Sequence, residues 1–328
     1  MPPMLNIAII GCGGIAKVHA RAYSNLRDRA KVIAVADIDY TAAKELAGIT
    51  GAEPVTNYRE LLSRADVDAV DICLPHHLHK QVIIESLRAE KHAMCEKPMC
   101  LTTQEADEIL AAIKDSKRMF MPAHNQVFTR GVQEAKGLLN AGELGRVLFV
   151  STQDCFVNSG ITGWRTKKAQ LGGGELIDTG YHPTYLLNFL SGSRPRTVYA
   201  LGARHRIRME GEDTAFIALG FEDGSLGSIH SSWAYENPNF APLFSVVCES
   251  GQLTGGQNNL AVKNISGETR TRAWPSNGDS FRSEIEHFID CVETNAIPLQ
   301  TAEDGKRALS VIQAAYRSIE LGLPVTLS

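Results

Sequence analysis

The feature that most constrains the fold is a glycine-rich turn between an apolar strand and a helix near the N-terminus. Residues 5–10 form an apolar run with β-branched side chains, which is typical of a parallel strand buried on both faces. The run leads into Gly11-Cys12-Gly13-Gly14-Ile15-Ala16, after which apolar spacings of three and four predict a helix. A second strand, predicted over 31–36, ends at Asp37. A strand, a tight turn and a helix start in this order predict a dinucleotide-binding motif.

Each residue type in this motif has a physical reason. Gly11 permits the tight turn, Gly13 leaves room for a pyrophosphate, and Ala16 lets the helix pack close to the strand. Asp37 would accept hydrogen bonds from the adenosine ribose and would repel a 2′-phosphate. Ile38 follows it, and no arginine stands nearby to hold that phosphate. We therefore expect NAD in preference to NADP; the alternative is an ordinary turn with a solvent-facing Asp37.

Strands continue to alternate with helices over the first 120 or so residues, which predicts an α/β fold with a doubly wound parallel sheet. In this series we expect a helix over 80–90 and a sixth strand over 119–123. From Thr129 the pattern changes to successive half-buried strands, which predicts a large, mostly antiparallel sheet with one open face. Helices over 281–294 and 302–321 follow. We place an NAD-binding Rossmann domain at 1–122 and a substrate-binding and oligomerisation domain at 123–328.

A second motif, Glu96-Lys97-Pro98, follows the apolar segment 92–95. Pro98 fixes its own φ and disfavours helical geometry at Lys97, so the lysine is expected in an extended bend. A lysine at the carboxyl edge of a parallel strand points into the crevice where open α/β sheets bind ligands.

A third motif is the glycine-rich segment 172–182, which precedes an apolar helical run. Asp178 and His182 are spaced i,i+4 and would share one face of a helix. An acid beside an imidazole suits a proton shuttle, because it fixes the tautomer and favours the protonated ring. Pro183 predicts a kink or a late helix start. On these residues alone, His182 as an ordinary helix-start residue is an equal alternative.

Composition excludes several classes of protein. The 328 residues, 44% hydrophobic and 21% charged, suit a globular protein of two domains, and a net charge of −4 gives no footprint for nucleic acid. The sequence contains no apolar run of about 18 residues, so no membrane span is predicted. We also expect no signal peptide and, from seven cysteines without CxxC spacing, reduced thiols and a cytoplasmic location. His76, His77 and His79 lack partners at ligand spacing, so no metal site is predicted.

Taken together, these motifs resemble the glucose–fructose oxidoreductase/inositol dehydrogenase family (Gfo/Idh/MocA) along the whole chain. The resemblance implies hydride transfer between NAD(P) and a secondary hydroxyl of a sugar, sugar derivative or cyclitol. It also implies a homodimer or homotetramer. When the family's roles are carried over by position, Lys97 lies beside the reacting hydroxyl and Asp178 orients the reacting groups. His182 takes or gives the proton. The implied cofactor contacts are Gly11, Cys12, Gly13, Gly14, Ile15, Ala16, Asp37, Leu74, Pro75, His79, Glu96, Lys97 and Asn125.

The implied substrate contacts are Lys97, His124, Gln153, Trp164, Arg165, Asp178 and His182. One departure concerns residues 124–128, where many relatives carry an arginine and this chain has His-Asn-Gln-Val-Phe. Trp164 and Arg165 are hypothesised to close over the substrate; an anchored surface loop is the equal alternative.

Two further functions suit the same fold. One is a glycosidase that uses a tightly bound NAD through transient oxidation. The other is a non-enzymatic, nucleotide-sensing regulator, against which Lys97, Asp178 and His182 argue, because a sensor needs no proton shuttle.

Overall fold

The computed structural model describes residues 4–237, 241–275 and 280–327. Its packing divides the chain into two units, Met1–Asn125 with Asp279–Lys306 and Gln126–Gly278 with Arg307–Ser328. The first unit thus includes a segment from near the C-terminus. The single domain boundary predicted from the sequence, near residue 122, does not include this segment in the first domain. Helices and strands are numbered here in chain order.

The first unit contains a six-stranded parallel sheet in the order β3-β2-β1-β4-β5-β6. Its strands are short, apolar and largely buried, as the sequence predicts for a sheet covered on both faces. They are β1 (Leu5–Ile10), β2 (Ala30–Ala36), β3 (Glu53–Val55), β4 (Ala69–Ile72), β5 (His92–Cys95) and β6 (Phe120–Pro122). The strand order reverses between β1 and β4, which is the switch point where such sheets bind ligands.

Five helices connect these strands: α1 (Gly14–Ser24), α2 (Tyr40–Thr50), α3 (Tyr58–Ser63), α4 (His76–Arg88) and α5 (Thr103–Ser116). The sequence prediction for α4 was wrong at its start, because the helix begins four residues before residue 80. Pro75 is its N-cap residue, and the polar run His76, His77 and His79 forms its first turn. The histidines fall in the turn whose N–H groups have no intrahelical partner, a position that tolerates polar residues.

The core of the first unit extends to a helix from near the C-terminus, α10 (Ser280–Thr294). Its buried residues Ile285, Phe288 and Ile289 belong to the same apolar cluster as Ala16, Ala20 and other residues of α1. This packing explains why the first unit is not continuous in sequence.

The second unit is built on a nine-stranded sheet in the order β14-β13-β12-β11-β7-β10-β9-β8-β15. The strands are β7 (Val147–Cys155), β8 (Pro195–Ala203), β9 (Thr214–Phe221), β10 (Leu226–Ser232), β11 (Phe244–Cys248), β12 (Gly251–Gly255), β13 (Asn259–Asn264), β14 (Thr269–Ala273) and β15 (Val325–Thr326). Its helices are α6 (Arg130–Ala141), α7 (Lys168–Leu171), α8 (Glu175–Asp178), α9 (Tyr181–Ser191) and the longer part of α11 (Ala302–Leu321).

This sheet is mostly antiparallel, as expected, but β7 and β10 pair in parallel. Between these two strands the chain passes through α8 and α9 and then forms β8 and β9, so β10 reaches β7 after a long crossover. Three strands were not predicted from the sequence: β12, which is short and glycine-bounded, β14, which is exposed throughout, and the two-residue β15. Each lacks the apolar run on which strand prediction depends.

Among the residues that the structure describes, no helix is both long and apolar enough to cross a membrane. All seven cysteines lie in these ranges, and each is buried and unpaired.

Candidate active site

The glycine turn at the end of β1 is shaped by close contact with β4. Gly11 has a φ of +93°, and a Cβ atom there would lie 2.4 Å from the backbone oxygen of Cys73. Only glycine fits both constraints. At Gly13 and Gly14, by contrast, an added Cβ would meet no heavy atom within 4 Å outside its immediate neighbours. The turn is therefore tight where it packs on the protein and open where α1 begins.

The N-terminus of α1 is suited to an anion. Gly13 is the N-cap residue, no side chain caps the helix, and the first turn carries no acidic residue. The first N–H groups of the helix therefore remain available, at the positive end of its dipole. Together with the open space at the turn, this arrangement fits a dinucleotide pyrophosphate.

Asp37, at the end of β2, is held against the same turn. One carboxylate oxygen accepts a hydrogen bond from the backbone N–H of Cys12 at 2.8 Å, and the other accepts from the N–H of Asp39 at 2.9 Å. The next side chain, Ile38, is 96% exposed. Burial and the charge of Asp37 raise the pKa of the Cys12 thiol to about 12. The Cys12 thiol is therefore neutral near pH 7.

His79 joins the segments that follow β4 and β5. Its Nδ1 lies 2.7 Å from the backbone oxygen of Pro98, its Nε2 lies 2.7 Å from that of Leu74, and the ring is fully buried. Both ring nitrogens thus face backbone carbonyls. The sequence placed His79 in a loop with a cofactor contact; the structure places it in α4 as a brace between Leu74 and the Glu-Lys-Pro segment.

Glu96 and Lys97 follow β5 at the carboxyl edge of the sheet. The backbone N–H of Lys97 donates to Oε2 of Glu96 at 3.0 Å, and the Lys97–Pro98 peptide bond is cis. Burial alone would raise the pKa of Glu96, but the neighbouring His19 and Lys97 outweigh it and hold that pKa below its usual value. Glu96 is therefore a carboxylate over the physiological range.

Behind Glu96 lies a buried polar cluster that the sequence analysis missed. Nδ1 of His19 lies 2.9 Å from Oδ2 of Asp71, and Nε2 of His19 lies 3.2 Å from Oε1 of Glu96. The thiol of Cys73 lies 3.6 Å from Asp71. Two signals in the sequence could have revealed the cluster: a histidine on the apolar stripe of α1 and an aspartate inside an apolar strand, since buried polar groups require partners.

The segment after β6 is tied to α10. The backbone N–H of His124 donates to Glu284, and the side chain of Gln300 donates to the backbone oxygen of His124. Asn125 donates to the hydroxyl of Ser280 at 2.9 Å. Burial and the charge of Glu96 raise the pKa of Glu284 to about 8. The His124 side chain is buried, so the position predicted to face substrate is mainly anchored in the first unit.

In the second unit, Asp178 is joined to the Trp164-Arg165 segment. Nε of Arg165 donates to Oδ2 of Asp178 at 2.9 Å, and the guanidinium lies over the ring of Trp164, 4.7 Å from its centroid. Asp178 is only 6% exposed, whereas Arg165 is 46% exposed. The structure therefore brings three predicted substrate residues together, with an arginine as the partner of the buried acid.

Asp178 and His182 lie on two successive helices rather than one. Asp178 ends α8 and His182 occupies the first turn of α9, with Thr179 and Gly180 between them. The late helix start expected from Pro183 is present. Gly180 is required here because a Cβ would lie 2.6 Å from the Cα of Leu176. The backbone remains right-handed helical through Thr179 and Gly180, so the break changes the hydrogen bonding more than the direction of the chain.

Thr179 is fixed from two sides. Nε1 of the buried Trp233 donates to its hydroxyl at 2.8 Å, and its backbone oxygen accepts from the N–H of His182 at 2.9 Å. Gln153, on β7, donates from its side chain to the backbone oxygen of Pro242 at 2.6 Å. The backbone N–H of His182 is thus hydrogen-bonded within the protein, and so is the side-chain amide of Gln153.

One buried acid and one half-buried acid in the second unit, Glu175 and Glu212, were also missed from the sequence. Glu175 accepts a hydrogen bond from Ser231, and burial raises its pKa well above the usual value. Glu212 accepts from the N–H of Leu176 and from the hydroxyl of Tyr316, and burial raises its pKa as well. Neither acid lies in a pattern that distinguishes it from a surface glutamate, so the sequence gives no signal for them.

The open glycine turn, the free helix N-terminus and the fixed Asp37, at the edge of a parallel sheet of this order, define the class of NAD-binding Rossmann proteins. The chain belongs to the Gfo/Idh/MocA family. Residues 5–124 match "Oxidoreductase family, NAD-binding Rossmann fold", and residues 132–254 match "GFO/IDH/MocA C-terminal domain". It is an oxidoreductase with an NAD-binding Rossmann domain.

Similar proteins span the whole length of the chain. An uncharacterized oxidoreductase of Bacillus subtilis (strain 168), YrbE, is 28% identical over 100% of this chain and 98% of its own. A myo-inositol 2-dehydrogenase of Thermotoga maritima is 25% identical over 96% of each chain. The solved structure of a levoglucosan dehydrogenase in complex with NADH superposes with a TM-score of 0.93 at 23% identity, covering 99% of this chain and 100% of that one. At that identity the structural likeness is one of fold.

Proposed function

We propose that this enzyme transfers a hydride between a secondary hydroxyl, or the matching ketone, of a sugar, sugar derivative or cyclitol and the nicotinamide of NAD. The proposal depends on one observation: the glycine turn, Asp37 and the Glu96-Lys97 pair lie at one edge of the first sheet. The myo-inositol 2-dehydrogenase among the similar proteins supports the substrate class.

In this proposal the first unit binds the cofactor. Gly13, Gly14 and the first N–H groups of α1 receive the pyrophosphate, and Asp37 accepts the hydroxyls of the adenosine ribose. Glu96 is a fixed carboxylate suited to the nicotinamide-side ribose. The remaining cofactor candidates are Cys12, Ile15, Ala16, Leu74, Pro75, Lys97 and Asn125, with His79 as the brace behind them.

The chemistry needs a base for the hydroxyl proton and a positive charge near the oxygen. The bound nicotinamide would supply the hydride acceptor. His182 takes the proton from the substrate hydroxyl, and the ammonium group of Lys97 stabilises the developing alkoxide. Asp178, paired with Arg165, orients the reacting groups. The reverse reaction uses the same residues with the proton returned.

Substrate selection is assigned in the proposal to the second unit. Arg165, stacked on Trp164, presents a half-exposed guanidinium that is already fixed by Asp178. Such a group can donate to substrate hydroxyls without first losing conformational freedom. Gln153, in the same unit, and His124, in the first unit, complete the candidate set. The open face of the nine-stranded sheet is proposed to join copies of the chain into a homodimer or homotetramer.

The decisive experiment follows nicotinamide reduction by the purified protein with inositols, aldoses, anhydrosugars and uronic acids, each with NAD and with NADP. We expect turnover with NAD, lost by at least about a thousandfold in Lys97→Ala because electrostatic stabilisation of an alkoxide is among the largest catalytic effects. Lys114→Ala, a change at an exposed lysine of α5, should leave turnover unchanged.

Retention of turnover in Lys97→Ala would contradict the role given to that lysine. A protein that keeps NAD bound through purification, reduces no added cofactor and cleaves a glycoside would instead support the hydrolytic alternative. Bound NAD without any turnover would favour a sensing role.

A further inference from the structure

His19 occupies an unusual place for a histidine. It lies on the inner face of α1 and is fully buried, with Phe281 of α10 against its ring at 5.7 Å between centroids. Its two nitrogens face two different carboxylates, Asp71 at 2.9 Å on one side and Glu96 at 3.2 Å on the other. A neutral imidazole has one N–H and can donate to only one of them, whereas an imidazolium can donate to both.

The surroundings favour the imidazolium. Burial alone would lower the pKa of His19, but the charge of Asp71, with a contribution from Cys73, outweighs it and places that pKa well above the usual value. The groups that face the ring are Asp71 and Cys73 from the β4 segment, Glu96 after β5, and the nearby acid Glu284 from α10. Two of these acids contact the ring nitrogens directly, so a buried cation between them offsets part of their negative charge.

Glu96 is consequently contacted at both of its oxygens. Oε1 lies 3.2 Å from Nε2 of His19, at ion-pair distance, and Oε2 accepts a hydrogen bond from the backbone N–H of Lys97. A positive charge beside one oxygen and a hydrogen bond to the other both favour the ionised carboxylate in this orientation. The contact between His19 and Glu96 therefore helps to position the Glu96-Lys97 edge of the candidate site.

We propose that His19, anchored by Asp71, is a positioning residue that holds Glu96 in the orientation that binds the nicotinamide-side ribose. This inference rests on the proposed function, because it takes Glu96 to contact the cofactor. Its test must therefore read both cofactor binding and the state of His19 itself.

A metal ion is the alternative for this cluster. The donor atoms of His19, Asp71 and Cys73 lie within 4.8 Å of one another, and they form the one such group found in the described ranges. A metal would require Cys73 as a thiolate. Burial and the charge of Asp71 raise the pKa of the Cys73 thiol far above its usual value, which favours the thiol. We base the inference on a proton between His19 and the two acids, and the ring-nitrogen spectra described below distinguish it from a metal ion.

The first experiment is a double-mutant cycle read by NADH fluorescence titration of the purified protein. We expect His19→Gln and Glu96→Gln each to weaken NADH binding by about tenfold or more, since each removes a charge-assisted contact. The double variant should bind no more weakly than Glu96→Gln alone, because His19 acts through Glu96. His92→Gln is the matched control, at the amino end of β5 and away from the glycine turn; it should bind NADH as the wild type does.

An additive loss in the double variant would overturn the inference, because it would show that His19 acts independently of Glu96. NADH affinity in His19→Gln equal to that of the wild type would overturn it as well. Failure of the wild-type protein to bind NADH at all would count against the proposed function, and the second experiment separates the two claims.

The second experiment records ¹⁵N spectra of the histidine ring nitrogens in the wild type and in Asp71→Asn. We expect His19 to remain doubly protonated at pH 8 in the wild type and to lose that signature in the variant. This readout needs neither cofactor nor turnover, and it decides the case even where His19→Gln fails to fold. A neutral ring at pH 8, or a metal-bound signature, would overturn the inference.

Discussion

At the scale of single residues, the first unit keeps ionisable side chains out of water and sets their charge by contact. His19, Asp71 and Glu96 form one ionic cluster, and Glu284 lies beside it with its pKa raised to about 8. Asp37 is different, because it is only partly buried and accepts hydrogen bonds from two backbone N–H groups. The sequence pointed to Asp37 by its distance from the glycine turn but gave no spacing rule for the buried set.

The role of Asp37 can be tested through cofactor choice. Asp37→Ser removes the charge that would repel a 2′-phosphate, so we expect the ratio of NAD to NADP efficiency to fall by about tenfold to a hundredfold. The measurement is kcat/KM with each cofactor. Asp39→Ser, at the exposed N-cap of α2, is the control and should leave the ratio unchanged. A wild-type enzyme that prefers NADP would show that Asp37 does not select the cofactor.

Glu284 predicts a pH dependence of stability. Its pKa is about 8 in the folded protein against an ordinary value of 4.5, so the folded state binds more protons between these values. Stability contributed by the protonated form is therefore lost as the pH rises from about 4.5 towards 8. Glu284→Gln keeps an acceptor for the N–H of His124 and removes this loss.

We expect the variant to gain on the order of 4 kcal/mol relative to the wild type between pH 5 and pH 8.5. The measurement is urea unfolding at the two pH values, with Glu286→Gln on the same helix as the control. A difference between Glu284→Gln and wild type that does not change with pH would show that Glu284 is already ionised at pH 5.

At the scale of elements, the glycine turn combines a residue that the fold needs with one that the ligand needs. Gly11 is constrained by a positive φ and by the backbone of Cys73, whereas Gly13 has ordinary φ and open space around it. Glycine therefore serves two purposes in this motif: at Gly11 it allows the fold, and at Gly13 it leaves space for the ligand. Helix α4 gives a second case, since its early start turns predicted loop histidines into a helical first turn that braces the Glu-Lys-Pro segment.

The two glycines predict opposite results on substitution. Gly13→Ala should leave the melting temperature of the ligand-free protein unchanged, because its Cβ meets no other atom. It should weaken NADH binding by about tenfold or more, because the Cβ would occupy the approach of the pyrophosphate. Gly11→Ala should lower the melting temperature, since it is strained in both φ and space. Thermal unfolding with and without NADH distinguishes the two, and unchanged NADH affinity in Gly13→Ala would count against the proposed pyrophosphate position.

At the scale of the whole molecule, two features lie outside the reach of local sequence patterns. Helix α10 returns to the core of the first unit after the chain has formed eight of the nine strands of the second sheet. The nine-stranded sheet leaves apolar residues exposed on neighbouring strands: Leu201 is 58% exposed and Phe216 47%, and the two residues stand opposite each other in the β8–β9 pairing. Adjacent exposed apolar side chains of this kind are typical of a protein–protein contact.

We expect Leu201→Glu to shift the protein towards the monomer, because a charge would be buried at the proposed contact between copies. Analytical ultracentrifugation of the wild type and the variant provides the measurement. Ile265→Glu, at an 80% exposed apolar position in the turn after β13, is the control and should keep the wild-type assembly. A wild type that sediments as a monomer would contradict the proposed oligomer.

The features that the sequence determined by itself are those set by residues close together in the chain. The parallel sheet and the glycine turn follow from apolar runs, turn residues and spacings within about 30 residues, and the structure confirms them. The family was inferred from the resemblance of the motifs, and the family models confirm it. Asp37 was located in the same way. The catalytic roles of Lys97, Asp178 and His182 stay predictions, since they depend on a resemblance rather than on a measured contact.

Only the tertiary structure decided which distant groups meet. Asp178 is paired with Arg165, His79 joins two carbonyls from separate loops, and His19 lies between Asp71 and Glu96. The parallel β7–β10 pair and the return of α10 belong with these contacts. Each depends on packing between segments far apart in the chain, and burial then sets the charge of the groups involved. A sequence pattern records the residue types, whereas the energy of a buried polar group depends on the partner that the fold brings to it.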